Sequence, residues 1–440
     1  MKTAKRSVGI VGGGVLGMTL ALRLSERGFK VTLIEGDSRM GGLASSMKIG
    51  NYTWDRFYHV ILLSDSDLLD LLEMLGLRKD ICWGRTKTGF FMDGHLYSMS
   101  NVIEFLTFPP LTLLDKFRLG WTIFYASKIK EWRKLDEILV SDWLKRLSGQ
   151  KTFHKIWLPL LKSKLGENYN LTSATFIWAI IARMYGARKS GLKKEMFGYV
   201  KGGYARIIDR FQRYLDERGV KTLCQTHVTK ISAGKNGVET ETSTGQSLMF
   251  GEVILTIPCS KIPEMCPQIS WPEKERFQEI LYQGVICAVL ILRKPLTDYY
   301  ITNITDEKVP FTAVIEMTNL VASEYFDGNS LVYLPRYMIA EDLFWKKTDK
   351  EIEEEFIVAL ESMYPKFNRE NLLLFKVSRA SQVLPVVTLN YSTELLPPTN
   401  TSVNHVFVVN SAQIASGTLN VNEIVGLADR KAAEIADYLS

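Results

Sequence analysis

The sequence predicts an α/β protein: one domain founded on a βαβ unit and assembled from separated parts of the chain, interrupted by an α+β domain with a helical insertion. Three observations predict this. Residues 7–35 read as strand, glycine turn, helix and strand. Strand–helix alternation returns at residues 202–258 and again at 406–439. Between the first two of these, residues 111–189 are patterned as helix and carry many aromatic side chains.

The first unit opens on Ser7-Val8-Gly9-Ile10-Val11, an apolar run of strand length. Gly12-Gly13-Gly14-Val15-Leu16-Gly17 follows, and Gly12, Gly14 and Gly17 make a G-x-G-x-x-G pattern. Gly12 permits a tight turn, Gly14 leaves no side chain to hold a pyrophosphate off the backbone, and Gly17 lets the next helix pack close to the strand. That helix runs to Arg27, with Leu20, Leu22 and Leu24 among good helix formers. Its N-terminus offers free N–H groups and partial positive charge to a diphosphate. The strand Lys30–Glu35 then ends on a carboxylate placed to accept from both ribose hydroxyls. Six residues on, Gly36-Asp37-Ser38-Arg39-Met40 has led into Gly41-Gly42-Leu43-Ala44.

An acid, five residues and Gly-Gly after a first βαβ unit resembles the FAD fingerprint of the flavin amine oxidase, protoporphyrinogen oxidase and phytoene desaturase superfamily. The resemblance implies a Rossmann-like FAD-binding domain with FAD as cofactor. It places Gly12, Gly13, Gly14, Val15, Leu16, Gly17, Glu35, Gly36, Arg39, Gly41, Gly42, Leu43 and Ala44 on that cofactor. It also reads the later alternation: a helix from Gly202-Gly203 to Arg218, a strand with Val228 on the adenine side, a small antiparallel sheet, and Val253–Ile257 closing on Pro258. At the end, the Val406–Asn410 strand and a helix from Asn420 to Leu439 resemble the superfamily's closing elements. There Asn410 stands by the ribityl chain, or simply caps the strand, and the helix N-terminus at Asn420 and Val421 points at the flavin N1–O2 edge. The expected division is residues 1–90, 201–265 and 396–440 for the FAD-binding domain, 91–200 for the mostly helical insertion, and 266–395 for the substrate-domain sheet.

The remaining elements follow from local pattern. Ser66–Leu75 is an amphipathic helix with Ser66 as N-cap and Gly76 at its end. Phe90–Tyr97 is a hairpin turning at Asp93-Gly94. Strands are expected at Gly284–Arg293 and Ser330–Leu334, and a helix at Lys350–Met363. The aromatic stripe from Trp121 to Trp132 is expected in the core.

Composition narrows the classes. Of 440 residues, 46% are hydrophobic and 23% charged, enough apolar material for a sizeable core, and the net charge of +6 is no nucleic-acid signature. Five scattered cysteines without C-x-x-C spacing argue against a disulfide framework, and neither they nor the five histidines form a metal-ligand pattern, so no metal is expected. The first strand begins too early for a signal peptide, and no apolar run reaches about 18 residues, so a cytoplasmic location without a spanning helix is expected, with peripheral membrane contact left open.

Four further features bear on chemistry. His59, in Asp55-Arg56-Phe57-Tyr58-His59, resembles a segment that runs beside the flavin, where it would donate a hydrogen bond or act as an acid–base near neutral pH, with Arg56 on a phosphate or the substrate. Amine oxidases carry a lysine in a strand of the form small-Val-Ile-Lys-Cys; Gly284-Val285-Ile286-Cys287-Ala288 has Cys287 in its place. Arg336 and Arg379 beside substrate-domain strands suggest anion recognition. Residues 183–213 hold nine bases against Glu195 and Asp209, open to an anionic substrate, an anionic lipid surface or plain solvation. The resulting expectation is an FAD-dependent oxidoreductase removing a hydride from a C–H bond of a small or amphiphilic molecule, with His59, Cys287 and Arg336 as catalytic candidates. Its rivals are a redox-neutral enzyme resembling UDP-galactopyranose mutase and a non-catalytic flavoprotein in a pathway complex. Oligomeric state is left open.

Overall fold

The computed structural model describes residues 6–186 and 196–439. Its organising element is a five-stranded, wholly parallel sheet in the order Lys221–Leu223, Lys30–Ile34, Ser7–Val11, Glu252–Leu255, Val406–Val408. Ser7–Val11 lies at the centre, buried on both faces, which is why it reads as a continuous apolar run. Its residues alternate: Val8 and Ile10 pack under the helices Val15–Glu26, Ser66–Met74, Gly203–Glu217 and Val421–Leu439, whereas Val11 joins Leu255, Val408 and the three-stranded antiparallel sheet Val228–Gly234, Gly237–Thr242, Ser247–Phe250 on the other face. Val11 is in register with both Ile34 and Leu255. The chain therefore leaves the sheet at Gly12, Glu35, Thr256 and Val409 along one carboxyl edge, where open α/β sheets bind ligands.

The second large sheet is mixed and seven-stranded, in the order Leu372–Pro385, Tyr282–Leu292, Ser330–Met338, Ala313–Glu316, Ile301–Ile304, Thr88–Met92, His95–Ser98. Tyr282–Leu292 is its backbone, with every residue buried. Val285, Cys287, Val289 and Ile291 face Trp54 and Phe57. Ile286, Ala288, Leu290 and Leu292 face the helix Asp349–Met363. The hairpin at Asp93-Gly94 forms, both residues taking positive φ, and it adds the last two strands of this sheet.

The helical region packs around Trp143, Phe153 and Trp157 through the helices Leu113–Lys128, Val140–Thr152, Leu158–Leu165 and Ala174–Gly186. Two expectations are corrected here, and one strand is added. The N-cap residue before the Ser66–Met74 helix is Asp65, held by the Leu62 N–H and by Arg183, rather than Ser66. Met196–Val200, just after the helical stretch, is a strand pairing with Ile61–Leu62 and Ile81–Arg85. Trp121, Phe124 and Tyr125 are exposed, not core, because the inward side of their helix is taken by Asp115, Lys116, Leu119, Thr122 and Ala126. Among the described residues no helix is long and apolar enough to cross a membrane.

Candidate functional site

The glycine turn after the first strand is fixed by backbone contacts that admit no side chain. Gly12 has φ of +112° and donates its N–H to Ile34 O at 2.8 Å. A Cβ on Gly17 would sit 2.0 Å from Gly12 O. Gly41 donates to Gly13 O at 2.8 Å, and a Cβ on Gly42, at φ of +56°, would approach Gly14 Cα to 3.1 Å. The two glycine turns thus lie backbone to backbone, leaving a bare strip of main chain at the N-terminus of the Val15–Glu26 helix. Val15, Leu16 and Ala44 are buried behind this strip; Leu43 and Arg39 stand exposed at its rim.

Glu35 closes the cradle. Its Oε2 accepts from the Gly13 N–H at 2.6 Å and its Oε1 from the Asp37 N–H at 2.8 Å. Charge-assisted bonds of this kind lock the carboxylate while leaving lone pairs for a diol. Thr226 N–H donates to Glu35 O and Gln225 N–H to Asp37 O, both at 2.9 Å, which draws Val228 alongside Val11 and Ile34. Gly36 is needed for that approach, since its Cβ would lie 2.4 Å from His227 Nδ1. Glu35 and Val228, 193 positions apart, are therefore brought to one edge. Pro258 follows the Glu252–Leu255 strand across the same edge, where Thr256 Oγ1 donates to Val11 O at 2.9 Å. A flat, bare backbone strip beside a fixed carboxylate suits a dinucleotide, and Cβ atoms at these glycines would fill the strip.

Two residues at the C-terminal end have engaged side chains. Asn410 is buried, donates to Ile257 O and Cys259 Sγ, and accepts from the Ala412 N–H. It ties the last strand to the Pro258 loop and caps the turn that follows. Asn420 caps the closing helix, accepting from the Glu423 N–H at 3.1 Å, so Val421 opens that helix. A cavity of about 250 Å³ lies there, lined by Ser64, Asp65, Trp178, Arg183, Gly417 and Glu423. Burial raises the Glu423 pKa.

At the other large sheet, the segment after the Tyr52–Asp55 strand packs against Tyr333. Asp55 is buried, accepts from the Tyr204 N–H at 2.8 Å through Oδ1, and its carbonyl accepts from Tyr333 OH. Desolvation raises its pKa to about 7. Because this folded-state value lies above the ordinary 3.8, the neutral carboxyl favours folding fully only below about pH 4, and that contribution is lost as pH rises through 7. Asp55→Asn is therefore expected to flatten the pH profile, gaining on wild type by on the order of 3–4 kcal/mol between acid and mildly alkaline buffer in urea unfolding. A parallel decline in both proteins contradicts this.

His59 sits 4.7 Å from the Tyr204 ring and shares a 2.9 Å hydrogen bond with Phe57 O. A carbonyl only accepts, so Nδ1 carries the proton and Nε2 is left with a free lone pair. Although half-exposed at its surface, His59 lies deep enough for desolvation to lower its pKa to about 4. The expectation of an acid–base titrating near neutral pH is thus corrected: His59 is a neutral acceptor there. Its neighbour Tyr58 bonds Tyr337 OH at 2.9 Å and accepts from Lys164 Nζ at 3.4 Å, and Lys164 also lies 3.9 Å from the Tyr337 ring centre. Lys164 and Tyr337 come from a helix and a strand far from Tyr58 in sequence, and no local motif marks them.

The side chains of the other two catalytic candidates are held by packing and by ion pairing. Cys287 is wholly buried among Trp54, Phe57 and Tyr333, and burial raises its thiol pKa, so it is an inert packing group. Arg336 pairs with Ile286 and so lies on the face opposite Cys287. It donates to Pro310 O, pairs with Asp342 and covers the Phe344 ring. Arg379 shares that face and pairs with Asp349. In the basic stretch, Arg183, Arg206 and Arg210 pair with Asp65, Asp80 and Glu217, while Arg188, Lys189, Lys193 and Lys194 lie outside the described residues.

Comparison with known proteins shows the family and the fold. The model of the family described as flavin containing amine oxidoreductase matches residues 17–411. Zeta-carotene desaturase of Synechocystis is 20% identical over 437 residues, covering 86% of each chain. Protoporphyrinogen oxidase 2 of Arabidopsis thaliana is 29% identical over 153 residues, 33% of this chain and only 30% of that protein's length. A solved oxidoreductase from Methanosarcina mazei has the same fold, with a TM-score of 0.75 at 16% identity over 97% of this chain and 100% of its own. The chain belongs to the flavin-containing amine oxidoreductase family, and is an FAD-dependent oxidoreductase.

Proposed function

We propose that the chain dehydrogenates a C–H bond of an uncharged, amphiphilic substrate rather than oxidising a primary amine. The observation that carries this reading is Cys287. By the resemblance, its position is the one amine oxidases give to a lysine, and here it holds a neutral thiol packed in an apolar core. FAD, when bound, supplies the hydride acceptor. The residues of the chain do the rest. The Gly12–Gly17 and Gly41-Gly42 strip takes the diphosphate on backbone N–H groups, and Glu35 holds the ribose diol. The N-terminus of the Val421–Leu439 helix adds partial positive charge. His59 offers its Nε2 lone pair as an acceptor, and the Trp54–Phe57 wall keeps water out.

Two features that favoured a sugar-nucleotide substrate are engaged elsewhere: Arg336 on the far face of its sheet, and Arg183, Arg206 and Arg210 of the basic stretch in ion pairs. The test is anaerobic mixing of the holoprotein with either benzylamine and putrescine or a neutral lipid extract of cells, following the visible flavin band. Bleaching by the lipid extract and not by the amines is expected. Rapid bleaching by either amine, or turnover of UDP-galactopyranose by the reduced protein without net oxidation, overturns the reading.

A further inference from the structure

The helix Leu113–Lys128 is apolar on its outward side and buries polar groups on its inward one. Its outward stripe, at spacings of three and four, is Leu113, Phe117, Trp121 and Phe124. Leu113 and Phe117 are 76% and 71% exposed. Its inward side sets Asp115, Lys116 and Thr122 among the core residues Leu119 and Ala126, all five buried. Each inward polar group has a partner. Asp115 closes a capping box with Thr112 and accepts from Thr152 OH at 3.2 Å. Thr122 donates to Arg118 O at 2.8 Å. Lys116 Nζ donates to Leu106 O at 2.6 Å, which binds this helix to the preceding one, Val102–Thr107. That helix in turn exposes Ile103 at 74% and Leu106 at 52%. The protein thus uses hydrogen bonds and a buried ammonium to hold two apolar helix faces outward and side by side, where isolated exposed apolar residues would need no such support.

We propose that this face docks on the surface of an anionic lipid bilayer. The charge beside it favours that occupant. Lys128 lies on the same stripe, its Nζ 5.2 Å from the Phe124 ring centre. Lys130, Arg133 and Lys134 follow, all exposed, with Glu131 as the sole acid of residues 128–134. Anionic headgroups complement such a rim, while the leucines and phenylalanines enter the acyl boundary and Trp121 and Tyr125 sit at the headgroup level. A second copy of the chain, apposed about a two-fold axis, would bring these cations against their own counterparts. With no helix long and apolar enough to cross among the described residues, the contact is peripheral.

This surface is independent of the C–H chemistry and is tested without substrate. The holoprotein is floated with vesicles of phosphatidylcholine alone or mixed with phosphatidylglycerol. Wild type is expected to rise with the anionic vesicles. The double variant Leu113→Glu/Phe117→Glu is expected to partition roughly tenfold or more weakly, and Lys130→Gln/Lys134→Gln about fivefold more weakly per charge removed. Trp271→Glu, at an exposed apolar residue elsewhere, serves as the control and is expected to bind as wild type. Retained FAD content and an unchanged thermal transition in each variant establish folding. Three results overturn the proposal: no flotation of wild type on anionic vesicles, flotation of the Leu113→Glu/Phe117→Glu variant equal to wild type, or a concentration-dependent dimer that this variant abolishes in the absence of any vesicle binding.

Discussion

Gly17→Ala is expected to lose both stability and cofactor. Alanine in a helix ordinarily gains up to about 1 kcal/mol over glycine. Here the added methyl meets Gly12 O at 2.0 Å, a backbone atom fixed by the Gly12–Ile34 hydrogen bond. Relief requires opening the very turn that faces the diphosphate. Overpacking of this kind costs about 1–3 kcal/mol, and FAD affinity is expected to fall at least tenfold beyond that. Gly120→Ala provides the contrast. Gly120 lies within the Leu113–Lys128 helix with nothing within 4 Å of a built Cβ, so the same substitution is expected to stabilise by about 0.5–1 kcal/mol. Thermal unfolding of the two apoproteins, with FAD titration, checks the pair. Equal behaviour of the two variants contradicts the packing argument.

Glu35→Ala is expected to weaken FAD binding by about 1–3 kcal/mol, the scale for hydrogen bonds to a charged group. The loss has two parts. The ribose loses its acceptor, and the Gly13 and Asp37 N–H groups lose theirs, which frees the glycine turn. Flavin mononucleotide separates the two, because it lacks the adenosine ribose. If Glu35 acts on the ribose, the variant binds FMN as well as wild type does while FAD affinity falls. If both affinities fall equally, Glu35 only props the turn. Glu35→Gln, which keeps one acceptor oxygen, is expected to lie between wild type and alanine.

The cradle was legible because most of what specifies it is local. Residues 7–45 contain the strand, the turn, the helix, the acid and the second glycine pair, and the contacts of Gly13, Gly14, Gly17 and Gly42 fall within that stretch, while Gly36 meets His227 from outside it. The substrate side was not, because its determinants are non-local. Whether Arg336 or Tyr337 shares the face of Cys287 and Tyr58 depends on one residue of register against Tyr282–Leu292, and the partner strand sets that register. The low pKa of His59 comes from its depth, which its sequence neighbours do not reveal. The apolar spacing from Leu113 to Phe124 was visible, but its direction was not. Burial of Asp115 and Lys116 becomes understandable only once Thr152 and Leu106 are seen to receive them. The trio of Tyr58, Tyr337 and Lys164 joins three distant segments, so no spacing in the chain announces it.

The central claim is that the bare glycine strip and Glu35 hold FAD. Its most direct test is the cofactor content of the purified protein after heat or acid release. One FAD per chain, freed without proteolysis and rebound by the apoprotein in preference to FMN, is the predicted result. A colourless protein that retains a nicotinamide dinucleotide and takes up no flavin contradicts the account.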